Sequence, residues 1–427
     1  MVILEFMKWK CIVVFFMSIS GFVFAQTGPG GVGSSDGTSS LVLWLDANTV
    51  AGTSGSVLSS WQDESGYSHD FTAGNGAVYN EGVVNGYPAF NFNGSSHYFQ
   101  RGYTAALTPS SFTIFSATNV NSTGTHKAVI SNRDDPPGTP TAGYILYSVP
   151  TSNNWSFWTG RAAGAWQQTS GGTSTSGTWS GQVLSYQAGT NGKTLRIDGA
   201  VDGVSTHSMT LNPSRPIRVG AGRNESAPNY YFSGDIGEVI IFDEVINSAQ
   251  EILVNNYLAA KYGYTLAAND LYNEDDAAAG NYDHDVAGIG RVDAANQHTN
   301  SRGTGTVQIS NPTGLGDNEF LIWGHDNGTY EATEFADIPG SVAARLDRVC
   351  SRRESTQAAT NLHGPQNPEQ LTDRSTYRLL QVCHLPFAHS TAPRPAALQV
   401  QNRSKLHHQI RLGSQFATQK RALRNSF

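Results

Sequence analysis

The stretch that most constrains this chain is Ser233–Gly263, SGDIGEVIIFDEVINSAQEILVNNYLAAKYG. Val239, Ile240, Ile241 and Phe242 are apolar at successive positions. Side chains alternate along a strand, so both faces of this one need apolar cover. Such a strand belongs between two packed layers. Ser248 followed by Glu251 has the spacing of a capping box and predicts a helix start. Ile252, Leu253 and Tyr257 then share a helical face, and Gly263 can supply a left-handed cap.

The rest of the pattern is β. From Leu41 onward, short apolar or alternating runs are separated by Gly, Asn, Ser and Thr. Asp198-Gly199 is a two-residue hairpin signal. Many turns and one convincing helix favour an all-β sandwich over an α/β fold. Residues 26–40 read as a flexible linker, because TGPGGVGSSDGTSS has too little apolar content to pack.

Several segments arrive in a familiar order. They are LVLWLDAN (Leu41–Asn48), WQDESGYSHDFTA (Trp61–Ala73), PAFNFNGSSHYFQ (Pro88–Gln100), SFTIFSATNV (Ser111–Val120) and GKTLRIDGAVDG (Gly192–Gly203). With the closing strand and helix, residues 41–263 resemble a laminin-G-like domain of the concanavalin A-like lectin/glucanase type. The resemblance implies a jelly-roll β-sandwich with one C-terminal helix. Residues 264–349 read as a second, smaller β unit with strands in HDVAGIGRVD, TGTVQISN and EFLIWGHDNG. Tyr282–Arg291 and Phe320–Gly328 resemble a β-rich domain of uncharacterised function found after laminin-G-like domains in secreted proteins of Bacteroidetes type.

Residues 1–25 have the layout of an export signal. Lys8 and Lys10 precede an apolar run that ends with Val23 and Ala25 at the −3 and −1 positions. An uncleaved anchor is the other reading. No later stretch is long and apolar enough to span a bilayer. Cys350 and Cys383 allow a bridge, but no disulfide framework supports one.

The chain has 27 Lys+Arg and 34 Asp+Glu, and 11 and 3 of these lie from Cys350 onward. The body is therefore net −15 and the tail +8. An acidic body argues against nucleic acid, since phosphate binding needs Lys and Arg. Residues 350–427 show no sustained period and break the expected strand pattern at Cys350. They read as an out-of-frame or disordered segment, or else as a basic tail for an acidic surface.

No G-x-S-x-G, H-E-x-x-H, P-loop or C-x-x-C motif occurs. The E-x-D-x-x-E strand of related glycosidases is missing too, and a glycosidase ranks third among the readings. Calcium is the cofactor the resemblance implies, with Asp63 in the WQDESG turn as a ligand. The family's second carboxylate falls where this chain has Gly237, leaving Asp235 or Glu238 to compensate. Strict alternation would point those two to opposite faces. Asp275, Asp276, Asp283, Asp285 and Asp293 form an acidic cluster, either a solvated loop or a loose calcium loop.

Aromatic residues give the ligand hint. Tyr144, Tyr147, Trp155, Phe157, Trp158 and Trp166 crowd one region, and Tyr230 and Tyr231 sit together in a loop. Flat apolar rings with polar tips suit stacking on sugars, although some of them must fill the sandwich. In NWSFWTG, Trp155 and Phe157 share one strand face, and Ser156 and Trp158 the other. The expected ligand residues are Tyr144, Tyr147, Trp155, Trp158, Trp166 and Tyr230. The expected function is a secreted or cell-surface, non-enzymatic glycan-binding protein. The alternative is a structural or adhesive module that makes protein contacts.

Overall fold

The computed structural model describes residues 27–325, apart from 122–125, 138–139, 150–152, 163–164, 274, 276–280 and 304–307. The export signal and the segment from Cys350 onward lie outside the described residues. So does the Cys350–Cys383 pair.

Two antiparallel sheets face one another. The first has nine strands. Its central strand Ser233–Phe242 pairs with Phe112–Val120 on one side. On the other side it pairs with Tyr87–Asn93 and, further along, with the opening strand Leu41–Asp46. The second sheet has eight strands, and Lys127–Ser131, Tyr144–Val149, Asn154–Thr159 and Gln167–Thr173 form one half of it. Phe90, Phe92, Phe112, Ile114, Val239 and Ile241 of the first sheet meet Trp61, Phe71, Phe99, Leu146, Trp155 and Phe157 of the second in one core. Asp198 and Gly199 both have positive φ, as a tight hairpin turn between twisted strands requires.

The central strand does lie between two layers. Val239 and Ile241 enter the core between the sheets, whereas Ile240 and Phe242 pack towards the helix. A bulge between Ile236 and Glu238 resets the alternation. Asp235 and Glu238 therefore share the helix-facing side, and strict alternation does not hold here. Gly237 sits at this bulge because Tyr262 lies against it. A Cβ there would fall 2.2 Å from Tyr262 Cε1.

The helix spans Ser248–Tyr262, but its cap is one residue earlier than the sequence pattern predicts. Asn247 Oδ1 accepts from the N–H groups of Ala249 and Gln250, and Gln250 Oε1 accepts from the Asn247 N–H. Glu251 is free of capping and pairs with Arg196 at 2.9 Å. Gly263 closes the helix at φ 62. The helix is buried on more than the expected stripe, because a second layer covers its far side. There a three-stranded sheet, Gln297–His298, His284–Arg291 and Glu319–His325, contributes Val286, Phe320 and Ile322 to the helix cluster.

Lysine 261 carries the junction. Its Nζ donates to Asp46 Oδ2 at 2.6 Å, Glu238 Oε2 at 2.8 Å and Tyr257 Oη at 2.9 Å. Trp44 Nε1 donates to Glu238 Oε1 at 2.6 Å, and the Tyr257 and Tyr262 hydroxyls donate to the same carboxylate. All three charged groups are buried. Burial works against the Lys261 ammonium, but the two carboxylates outweigh it and raise its pKa.

The Gly-rich leader packs, contrary to the flexible-linker expectation. Gly28–Val32 is buried, and Gly288 N donates to Gly30 O at 3.1 Å. The leader packs through its close-approaching glycine backbone and through Val32, whose side chain is fully buried in the helix cluster. A Cβ on Gly31 would fall 1.8 Å from Ser301 Oγ, so only glycine permits this approach. His298 Nε2 lies 2.9 Å from the Gly31 carbonyl, which can only accept, so Nε2 carries the proton. Among the described residues no helix is long and apolar enough to cross a membrane.

Two outcomes follow from this packing. Lys261→Ala leaves two carboxylates buried without their cation and is expected to cost about 3–5 kcal/mol in urea unfolding. Burial lowers the His298 pKa to about 4. The unfolded chain, with a histidine near 6.5, then takes up its proton first as pH falls. Stability should drop between about pH 6.5 and pH 4, by up to about 3 kcal/mol. His298→Gln should flatten that slope in a pH series of melts.

Candidate functional site

The outer face of the second sheet carries the only expected ligand residues that the fold gathers. Along Tyr144–Val149, Tyr144 and Leu146 point into the core, while Ile145, Tyr147 and Val149 point outward. Along Asn154–Thr159, Trp155 and Phe157 point inward. Trp158 lies outward, opposite Ile145, and Ser156 stands opposite Tyr147. Trp166 and Tyr230 pack against the same outer cluster. The six candidates therefore divide. Tyr147, Trp158, Trp166 and Tyr230 come together, whereas Tyr144 and Trp155 are core residues and cannot reach a ligand.

Histidine 126, which the sequence reading missed, stands among these rings. Its ring centroid lies 5.2 Å from Tyr147, 6.2 Å from Trp158 and 5.9 Å from Tyr230, each edge to face. Burial lowers its pKa, which favours the uncharged imidazole. Tyr147 is itself 5.6 Å from Tyr230 and 6.1 Å from Trp158.

Arginine 133 anchors the other side. Its guanidinium lies 5.4 Å from the Trp166 ring centre and 5.7 Å from that of Tyr230. Nε and Nη2 grip Glu225 at 3.1 and 3.0 Å, and Nη2 also reaches Asp135 at 2.8 Å. Trp166 Nε1 donates to the same Asp135 oxygen at 3.0 Å. A planar, always charged group can bind carboxylates with its edge and rings with its faces, which lysine cannot do. Arg133 thereby positions Trp166 and Tyr230. It was invisible in the sequence because, Asp135 apart, its partners are far away in the chain.

Two further features mark this face. Tyr230 holds φ 55, a left-handed backbone costly for a bulky side chain. Its carbonyl accepts from Ala128 N at 2.9 Å, which fixes the loop to the sheet. Ser156 Oγ and Trp158 Nε1 are buried polar atoms without a hydrogen-bond partner among the described residues. Ser156 itself is fully buried.

The three carboxylates expected to bind calcium are occupied separately. Asp63 accepts from the N–H groups of Trp44, Ser65 and His69 and from the Ser65 hydroxyl, so it caps its own turn. Asp235 accepts from Asn91 at 2.7 Å, and Glu238 belongs to the Lys261 network. These residues do not fit a shared calcium ion, and among the described residues no group of three or more His, Cys, Asp or Glu side chains gathers for a metal. In the acidic cluster, Asp283 Oδ1 lies 2.6 Å from His284 Nδ1, and Asp293 caps a turn at Ala295 and Asn296.

A family match over part of the chain agrees with this architecture. Residues 93–252 match the model of the concanavalin A-like lectin/glucanases superfamily. Residues 250–404 match a domain of unknown function, so the two matches meet inside the helix. No curated protein matches the chain. Among solved structures, Trypanosoma rangeli sialidase in complex with sialic acid is 16% identical at a TM-score of 0.38, over 56% of this chain and 36% of that one. Domain 4 of a GH43 extracellular arabinanase from Geobacillus stearothermophilus, in complex with arabinotriose, is 17% identical at 0.37, over 50% of this chain and 97% of that one. The CBM40 of Ruminococcus gnavus IT-sialidase bound to α2,3-sialyllactose is 12% identical at 0.32, over 39% and 94%. The chain thus spans about a third of the length of the sialidase, and the sugars bound in these structures belong to those proteins.

The two tryptophans of NWSFWTG give a direct check. Trp155→Ala should cost about 3–5 kcal/mol of stability, as expected for a large ring deleted from a core. Trp158→Ala should cost no more than about 2 kcal/mol. Equal losses in urea unfolding would show that both rings are structural.

Proposed function

We propose that this protein is an exported, non-enzymatic carbohydrate-binding protein that recognises its ligand on the outer face of the second sheet. The observation that carries this reading is the convergence of the partly exposed Trp158, Trp166, Tyr230 and His126 around Tyr147 on one sheet face. Sugar rings offer apolar C–H faces, and the partly exposed rings of this cluster are the complement on which such faces stack.

Recognition without chemistry is supported by the two carboxylates nearby. Glycoside hydrolysis needs one carboxyl to give a proton and another to attack or to activate water. Here Asp135 and Glu225 are both bound to Arg133. The export layout of residues 1–25 supports a role outside the cytoplasm.

The test is a glycan and polysaccharide binding screen of the full-length chain. Saturable, sugar-selective binding is expected. Trp158→Ala and Tyr230→Ala should each weaken it about tenfold, the size of one lost aromatic stack, with melting temperatures near wild type. Normal binding by both variants would remove this face from the account.

A further inference from the structure

The aromatic cluster is one of two on the same face. Consecutive residues Tyr230 and Tyr231 reach into one each. Tyr231 lies 6.3 Å from Tyr98, centroid to centroid. Tyr98 is in the strand Tyr98–Arg101, where Phe99 fills the core, so Tyr98 and Gln100 point outward. The Tyr98 ring lies flush against the neighbouring strand. A Cβ on Gly74 would fall 1.9 Å from it, so only glycine leaves it room. Tyr98, Tyr231, Tyr230 and Trp158 are all partly exposed.

The sheet order fixes the spacing. From the Tyr147 strand the sheet runs through Lys127–Ser131 and Ile217–Val219 to the Tyr98 strand. Three strand intervals of about 4.8 Å place the clusters about 14 Å apart, across the strands. That is longer than a single sugar ring.

The charge on this face is equally informative. Arg133 is the cation among the first set of rings, and its donors are taken by Glu225 and Asp135. Arg218 is the cation at the second. It lies 5.4 Å from the Tyr98 ring centre and donates to the carbonyls of Gly222, Arg223 and Ser226 and to Gln100 Oε1. Burial favours the neutral form of His126. Both arginines therefore hold the protein together instead of presenting charge to a ligand. Arg223, exposed on the adjoining loop, Arg161 and the buried Lys127 have no carboxylate partner among the described residues.

We infer that the ligand is an uncharged polysaccharide laid across the strands, held by Trp158 and Tyr230 at one stretch and by Tyr98 and Tyr231 at a second. This rests on the glycan reading above and narrows it to a substrate class. A terminal acidic sugar would need a free guanidinium or ammonium among the rings, because a carboxylate loses its water only against a charge-assisted partner, and the two cations that stand there, Arg133 and Arg218, are committed to protein partners. An extended neutral chain needs stacking surfaces in series, which the face provides.

Affinity electrophoresis of the full-length chain tests this. The gels would contain mixed-linkage β-glucan, xylan, galactomannan or arabinan as neutral polymers, and polygalacturonate or alginate as anionic ones. Retardation by at least one neutral polymer is expected, unaffected by added salt. Tyr98→Ala and Tyr231→Ala should each weaken that binding by between about threefold and tenfold. Tyr98→Phe should retain binding, which separates loss of the ring from loss of the fold. Arg223→Ala should have no effect.

Salt-sensitive retention by an anionic polymer, weakened by Arg223→Ala, would overturn this inference and leave glycan binding standing. Full binding of a neutral polymer by both Tyr98→Ala and Tyr231→Ala would overturn it as well. Failure of every sugar to retain a folded sample would overturn the inference together with the glycan reading beneath it.

Discussion

The buried contact of Lys261 with Asp46 and Glu238 is the interaction on which the rest of the arrangement depends. It ties the last turn of the helix to the opening strand and to the central strand at one point. Removing the lysine would leave two buried carboxylates unpaired, so the contact ties the helix to both strands alongside its apolar packing. Once the helix lies on the first sheet, its far side can hold the second unit. The outer face of the first sheet is then covered by the helix and that unit, whereas the outer face of the second sheet displays partly exposed aromatic rings. The location of the candidate site thus follows from where the helix is pinned.

The candidate site repeats the device in a different setting. One cation again stands between two carboxylates, but Arg133 replaces lysine and sits at the surface of a sheet. Lys261 is a compact charge ringed by the Tyr87, Tyr257 and Tyr262 rings and serves only to join layers. Arg133 is planar, so its edge can be bound while its faces carry Trp166 and Tyr230. Fixing those rings in advance lowers the ordering cost when a ligand stacks on them. The left-handed backbone of Tyr230 fits the same picture of a loop held in a costly shape by its neighbours.

Much of the fold was legible because it rests on local patterns. The doubly apolar run Val239–Phe242 implied two layers, and Asp198-Gly199 implied a hairpin; both occur. Errors arose where one residue of context decides. The cap fell to Asn247 because its side chain, and not that of Ser248, reaches the first free N–H groups. The bulge at Gly237 moved Asp235 and Glu238 onto one side, which no period-two reading can foresee. The leader packed because its glycines allow close approach, a contribution that hydrophobicity does not measure, while Val32 fills the helix cluster. At the site, strand alternation correctly separated Trp155 from Trp158 but could not say which set was inside. His126, Arg133 and Glu225 meet only through tertiary pairing, so no linear signal marks them.

The central claim is that ligand contacts fall on the outer face of the second sheet. Its most direct test is to follow the indole N–H signals of the eight tryptophans by NMR while a pool of neutral oligosaccharides is titrated into the full-length chain. The account predicts that Trp158 and Trp166 shift saturably, while Trp61 and Trp155, buried in the core, stay fixed. Saturable shifts confined to tryptophans outside the second sheet, or none at any concentration in a folded sample, would contradict it.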